Sequence, residues 1–239
     1  MRVNYGNIKV LLLILIVGLL YGFSNHRNAN RVVGEPKIAF LGTDNLFITH
    51  QNVSKLLIQN QQGVSGKHKE IIDLNRLETA LNSNPMIKEA QVYLSVNGVL
   101  SANIEQRKPI ARVHTNASYY VDDQGFYMPL SDNYSARVPL VTGDVKKNDL
   151  NAIYKISKAI EADEFLKKHV IEIHQSTGGT ISLRMRTFDF EVQIGGLDNL
   201  EKKVNNFKAF YKKAQKDNKL DAYSKINLRF DSQVICTKK

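Results

Sequence analysis

Residues Val10 to Phe23, VLLLILIVGLLYGF, are 14 residues without a charge, and no other feature restricts this chain's fold as strongly. By length alone the run is nearer a signal-peptide core than a full membrane span. Its flanks lengthen it. Ile8 continues the run, Lys9 can carry its ammonium to the headgroups on its aliphatic stem, and Tyr5, Tyr21 and Phe23 stand where interfacial aromatics belong. A helix from about Tyr5 to Phe23 nearly reaches the ~20 residues that cross the hydrocarbon core. The following SNHRNANR offers no small-x-small cleavage site. The expectation is an uncleaved single-pass anchor over residues 8–23, a short cytoplasmic tail at 1–7, a linker at 24–35, and the bulk of the chain outside the cytoplasm. The charge bias behind this orientation is slight: Arg2 and Lys9 face Arg27 and Arg31, with the amino terminus adding to the first side.

The remaining chain is long enough for one or two domains, and 43% hydrophobic against 23% charged residues describes a folded protein. A net charge of +10 raises the question of nucleic acid. The excess is spread over the chain, however, and only Lys202, Lys203, Lys208, Lys212, Lys213, Lys216 and Lys219 crowd together. They fall on one amphipathic helix, where they read as its solvated face rather than as a nucleic-acid or anionic-lipid surface. Cys236 is the one cysteine, which rules out an intramolecular disulfide and any multi-cysteine zinc site, and it reads as a small buried hydrophobe.

From 36 to 108 the pattern is strand, two helices, hairpin. Ile38 to Leu41 is a short strand. Thr49 caps a helix presenting Val53, Leu56 and Leu57, GVSGKHKE is a polar loop, and Asp73 caps a second helix carrying Leu74, Leu77 and Leu81, stopped by NSNP. Alternation through Ala90, Val92, Leu94 and Val96, then Asn97-Gly98, then Leu100, Ala102 and Ile104, spells a hairpin whose two central residues are expected at positive φ. The module is β-α-α-β-β.

From 109 to 239 short strands come first. YYVDDQGFYMPL reads as strand, Asp-Gln-Gly turn, strand, and RVPLVTG as another extended piece. Asp149 is expected to cap a helix bearing Leu150, Ile153, Ile156 and Ile160. Ile181, Leu183 and Met185, then Phe190, Val192 and Ile194, mark two more strands before a long helix from Leu197 to about Lys216. The fold class is therefore α+β: a transmembrane helix, a β-α-α-β-β module, then a mainly antiparallel β domain with flanking helices.

Residues that could carry chemistry do not assemble into a known arrangement. His169 and His174 are five apart, which does not stack two ligands on one helix face, and no HExxH or Cys-His cluster occurs. GVSGK lacks the P-loop's first glycine, since Gln61 stands there, and it is not GxSxG. Asp122-Asp123 reads as a turn rather than an acid-base pair, and no SxxK followed by KTG points to peptidoglycan synthesis. No catalytic, metal or cofactor residue is assigned, and no small-molecule substrate.

Several stretches, in order, are similar to the bacterial FtsQ/DivIB cell-division family: NPMIKEAQVYLSVNGVLSANIEQRKPIARV (Asn84 to Val113), YYVDDQGFYMPLS (Tyr119 to Ser131), VPLVTG (Val138 to Gly143), IGGLDNLEKKV (Ile194 to Val204) and INLRFDSQV (Ile226 to Val234). The resemblance implies a POTRA domain over 36–108 and a β domain over 109–239. It also implies a non-enzymatic divisome scaffold in the inner membrane at the septum, with FtsB- and FtsL-like bitopic partners and, through them, the FtsW/FtsI septal synthase. In that family a strand of FtsB pairs with the last strand of FtsQ, so the partner-binding residues it implies are Asn227, Leu228, Arg229, Phe230, Asp231, Ser232, Gln233 and Val234. The family's Asp-Leu-Arg-Tyr is matched by Asn227, Leu228, Arg229 and Phe230, with two departures, and Phe230 lacks the phenol hydroxyl. Leu228 and Phe230 are expected in the core, with Arg229 toward the partner and the backbone edge open.

Other readings compete. The same alternation fits a strand that only completes the sheet, with Lys238 and Lys239 guarding its edge. A POTRA-containing module of a transport or outer-membrane assembly would call for repeated modules or a membrane β-barrel, neither of which the sequence suggests. An enzyme of unfamiliar type would need a pocket of titratable side chains.

Overall fold

The computed structural model describes residues 5–29, 33–43, 45–60, 72–230 and 233–239. Helix α1 (Tyr5–Ala29) is longer than the apolar run, so Ser24 to Ala29, expected as linker, are helical. Within it, Ile8–Arg27 is long and apolar enough to cross a membrane. The rest divides into two units, at Gln106 and Arg107.

The first unit contains β1 (Lys37–Leu41), α2 (His50–Asn60), α3 (Leu74–Asn82), β2 (Ile87–Leu94) and β3 (Leu100–Gln106), with sheet order β1-β3-β2. β3 is central because it pairs parallel with β1 and antiparallel with β2. Its Leu100, Ala102 and Ile104 are fully buried against Val53 and Leu57 of α2 and Leu77 and Leu81 of α3. The caps read from sequence are in place. Thr49 Oγ1 accepts the Asn52 N–H at 3.2 Å, and Asp73 Oδ1 accepts the Arg76 N–H at 3.0 Å.

Two side chains tie helix and loop to sheet. Asn82 Oδ1 accepts the Ala90 N–H at 2.8 Å, and Gln106, itself buried, accepts from the Phe47 and Ile48 amides and donates to Ile48 O. The hairpin turn differs from expectation. Of the two central residues only Gly98 has positive φ, +81°, while Ser95 bonds both Gly98 and Val99, so the turn is a tight one closed by a left-handed glycine, and Asn97 does not take positive φ. The GVSGKHKE loop lies outside the described residues.

The second unit is one mixed nine-stranded sheet. Its strands are β4 (Pro109–His114), β5 (Ser118–Asp122), β6 (Tyr127–Met128), β7 (Leu140–Gly143), β8 (Val170–Gln175), β9 (Ile181–Met185), β10 (Glu191–Gly195), β11 (Tyr223–Asn227) and β12 (Ile235–Lys238). They lie in the order β12-β11-β10-β9-β8-β7-β4-β5-β6, with β7 parallel to both its neighbours and β10 parallel to β11. Helices α4 (Asn151–Ala162), α5 (Glu164–His169) and α6 (Leu200–Lys216) cover the core, which takes Ile153, Ile156 and Ile160 from α4 and Val204, Phe207 and Tyr211 from α6. Asp149 does not cap α4. Its amide closes a turn onto Lys146 O at 2.9 Å, and Leu150 occupies the cap position. Asp122 does stand in a turn: fully buried, it accepts the Gln124 and Phe126 amides at Oδ1 and Arg107 at Oδ2.

Candidate functional site

Strands β10 and β11 run parallel, so the chain must cross back between them, and α6 makes that crossing. The entry to α6 is tight. Gly195 has φ +74° and Asn199 φ +48°. Lys203, expected on the solvated face, turns inward instead and is 2% exposed. Its Nζ donates to Gly196 O at 2.8 Å and lies 3.3 Å from Asp198 Oδ2, so a buried ammonium satisfies the carbonyl of the loop that precedes it. A backbone N–H and then the Lys203 ammonium hold the Asp198 carboxyl below its usual value. Lys208 is likewise engaged, with Asp163 at 2.6 Å.

Along β11, Lys225, Ile226 and Asn227 face Glu191, Val192 and Gln193, and the Leu228 N–H donates to Gln193 O at 2.8 Å as the last rung. There the chain leaves the sheet, because Asn227 Oδ1 accepts the Arg229 N–H at 3.0 Å and closes a local turn. An asparagine does this as well as an aspartate would. Leu228 remains buried, as expected. Phe230 does not reach the core: it is 47% exposed, since the pleat that would have turned it inward has ended. Arg229 is exposed, with its stem against Gly195.

Asp231 and Ser232 lie outside the described residues; Gln233 is exposed and Val234 packs partly against the core. The chain then returns as β12, antiparallel to β11, with Asn227 opposite Ile235, Ile226 opposite Cys236 and Lys225 opposite Thr237. The backbone edge of β11 is thus filled from within the chain, and the sheet ends at β12. Strand alternation tells which groups face outward. The Leu228 amide points to β10, so Asn227 and Lys225 point to β12, Ile235 and Thr237 point back to them, and the Cys236 N–H and C=O face away. Ile235 is half exposed beside them. Burial pushes the Cys236 thiol up from its usual value, so it stays protonated.

The structure therefore leaves Arg229, Phe230 and Gln233 exposed, places Asn227 and Leu228 in the ladder, and adds an edge beyond Val234, where the sequence assigns no partner-binding residue. ICTK has no apolar-polar alternation to mark it, and only the β-branched Ile235 and Thr237 favour a strand there. The two histidines do not meet: His169 Nδ1 lies 2.8 Å from Phe165 O and His174 Nδ1 3.0 Å from Thr142 Oγ1. Among the described residues no group of three or more His, Cys, Asp or Glu side chains could hold a metal.

A family model described as FtsQ/DivIB, C-terminal related, matches residues 108–237, and one described as a POTRA-like domain matches residues 42–105. Among curated proteins, Cell division protein FtsQ of Geotalea daltonii (strain DSM 22248 / JCM 15807 / FRC-32) is 23% identical over 198 residues, which is 72% of this chain and 71% of that protein.

Proposed function

Since the chain belongs to the FtsQ/DivIB family, whose model spans more than half of it, we propose that it is a non-enzymatic, single-pass scaffold of the division machinery that receives a partner strand at β12. A role in cell division follows from the family itself. The finer reading is that α1 spans the inner membrane with residues 1–7 in the cytoplasm, 24–35 as a linker whose first part, Ser24 to Ala29, continues the helix, a POTRA domain at 36–108 and a β domain at 109–239 outside, at the septum. Its partners in this reading are FtsB- and FtsL-like proteins, and through them the FtsW/FtsI synthase.

The observation that supports strand addition is the position of β12 at the end of the sheet, its Cys236 backbone pair turned outward, with Ile235 exposed on the same strand and Arg229 and Phe230 exposed just past β11. An edge of four residues offers few main-chain bonds, each worth about 1 kcal/mol net. Most selectivity then falls to the side chains of Arg229, Phe230, Gln233 and Ile235. Lys238 and Lys239, which would deter an unselective strand, also favour an acidic one.

The test is affinity purification of the full chain from gently solubilised membranes, comparing the wild type with Arg229→Glu and with Cys236→Pro. The proline removes the outward N–H while leaving the N–H groups that face β11 intact. Recovery of FtsB- and FtsL-like proteins by the wild type, and their loss with both variants, supports the docking edge. Equal recovery by all three would place the partner surface elsewhere; none recovered by the wild type would remove the scaffold reading.

A further inference from the structure

A cleft of about 420 Å³ opens in the second unit, away from β12, among the ends of β4 and β8, the segment leading into β7, and helices α4 and α5. Its floor is apolar, with Ile110, Ile160 and Val170 buried beneath it. Four cations line it, Lys108, Arg137, Lys167 and Arg186, against one carboxylate, Glu161. That carboxylate is already committed. Burial opposes its charge, but the hydrogen bond from Lys108 at 2.6 Å, with Lys158 beyond, outweighs this and holds Glu161 below its usual value. Arg137, Lys167 and Arg186 are exposed, and among the described residues none of them has a carboxylate partner.

A second feature points inward. Ser157, which lines the cleft from α4, is 1% exposed, and among the described residues its hydroxyl has no hydrogen-bond partner. A buried hydroxyl left unpaired costs free energy that a ligand carbonyl would recover. The volume falls in the ~300–1,000 Å³ range of pockets that take a ligand, and is too small to admit a helix, whose diameter with side chains is about 10–12 Å.

We propose that this cleft binds a short extended acidic peptide segment of a partner protein, one apolar side chain entering the floor and flanking carboxylates meeting Arg137, Lys167 and Arg186. In an extended chain, neighbours of the inserted residue point the other way, toward the mouth, where long cationic side chains reach them. A bare inorganic anion would leave the apolar floor uncovered, and a neutral apolar peptide would leave three cations unmatched. The site is separate from the β12 edge and does not depend on strand addition there.

The probe is fluorescein-labelled acetyl-Ala-Glu-Leu-Glu-Ala-amide, its Gln-for-Glu counterpart serving as control, titrated by anisotropy against the full chain in nanodiscs. The acidic peptide should bind at least about tenfold tighter than the control, and more weakly as salt rises. Arg137→Glu with Lys167→Glu should lose at least about tenfold, and Arg137→Gln with Lys167→Gln an intermediate amount. Arg229→Glu, on the other surface, should bind the peptide as the wild type does, so failure at one site is distinguishable from failure at the other. Equal binding of the two peptides, or undiminished binding by the charge-reversed variant, overturns the proposal. So does displacement of the peptide by millimolar inorganic phosphate at constant ionic strength, which would assign the cleft to a bare anion.

Discussion

The stem of Arg229 lies across Gly195: a Cβ built on that glycine, where φ is +74°, would fall 2.8 Å from Arg229 Cγ. The end of β10 and the first exposed residue past β11 are fitted to each other across a parallel pair, so the glycine sets where the arginine emerges.

Gly195→Ala should therefore act twice. The left-handed backbone and the clash together cost about 1–3 kcal/mol, read as a lower urea midpoint with an unchanged slope. The displaced Arg229 should also reduce partner recovery in the affinity purification described above. An unchanged midpoint would mean that the alanine is accommodated and the fit is loose.

Asp122 carries the most completely buried carboxylate among the described residues of the second unit, with Arg107 Nη1 2.5 Å from Oδ2 and two turn amides on Oδ1. Removing it takes the buried carboxylate away from the Arg107 guanidinium and from the two turn N–H groups it accepts from. Asp122→Ala should cost about 3–5 kcal/mol, and Asp122→Asn less, because the amide oxygen still accepts from the turn. Equilibrium unfolding of the two variants beside Arg107→Ala measures the difference.

Lys203→Met keeps most of the buried stem but removes the donor to Gly196 O. A loss of about 1–3 kcal/mol is expected, against within about 0.5 kcal/mol for Lys202→Met on the exposed side of the same helix. Calorimetric melting of both variants separates a buried tie from a general effect of removing a lysine.

Asp163 caps α5 through the Leu166 N–H at 3.0 Å and pairs with Lys208 of α6. Burial opposes its charge, but the Lys208 bond and the backbone amides prevail, and its carboxyl is held below its ordinary value. A carboxylate lowered on folding stabilises the native state above its unfolded value, about 3.9, and this contribution is lost as pH falls through the folded value. Wild type should accordingly lose stability as pH falls below about 4, and Asp163→Asn should be less stable near neutrality yet fall less steeply there. Urea midpoints between about pH 2 and 7 test this; parallel curves would exclude the group.

Much of the fold was legible because local physics repeats along the chain. Leu100, Ala102 and Ile104 alternate as a strand must, and all three are buried; Thr49 and Asp73 cap because their oxygens reach the amides three residues on. Strand β8 was not legible. A bulge between Val170 and Glu172 shifts its phase, burying Val170 and Ile173, which lie on opposite faces by simple alternation. At the candidate site the alternation of Ile226, Leu228 and Phe230 overran the strand, since period alone carries no sign of the Asn227 turn that ends it.

What the sequence determined by itself was whatever depends on neighbours in the chain: an apolar helix long enough to span a membrane, the strands and helices whose apolar period is regular, and the buried face of each of those strands. What only the tertiary structure decided was which groups were left over. Pairing between β11 and β12 closes one edge and opens another, a crossing helix buries Lys203 against Gly196, and the strand ends beside α4 and α5 collect cations around Ser157. Those outcomes depend on contacts between residues distant in sequence, whose pairing and register no local period encodes.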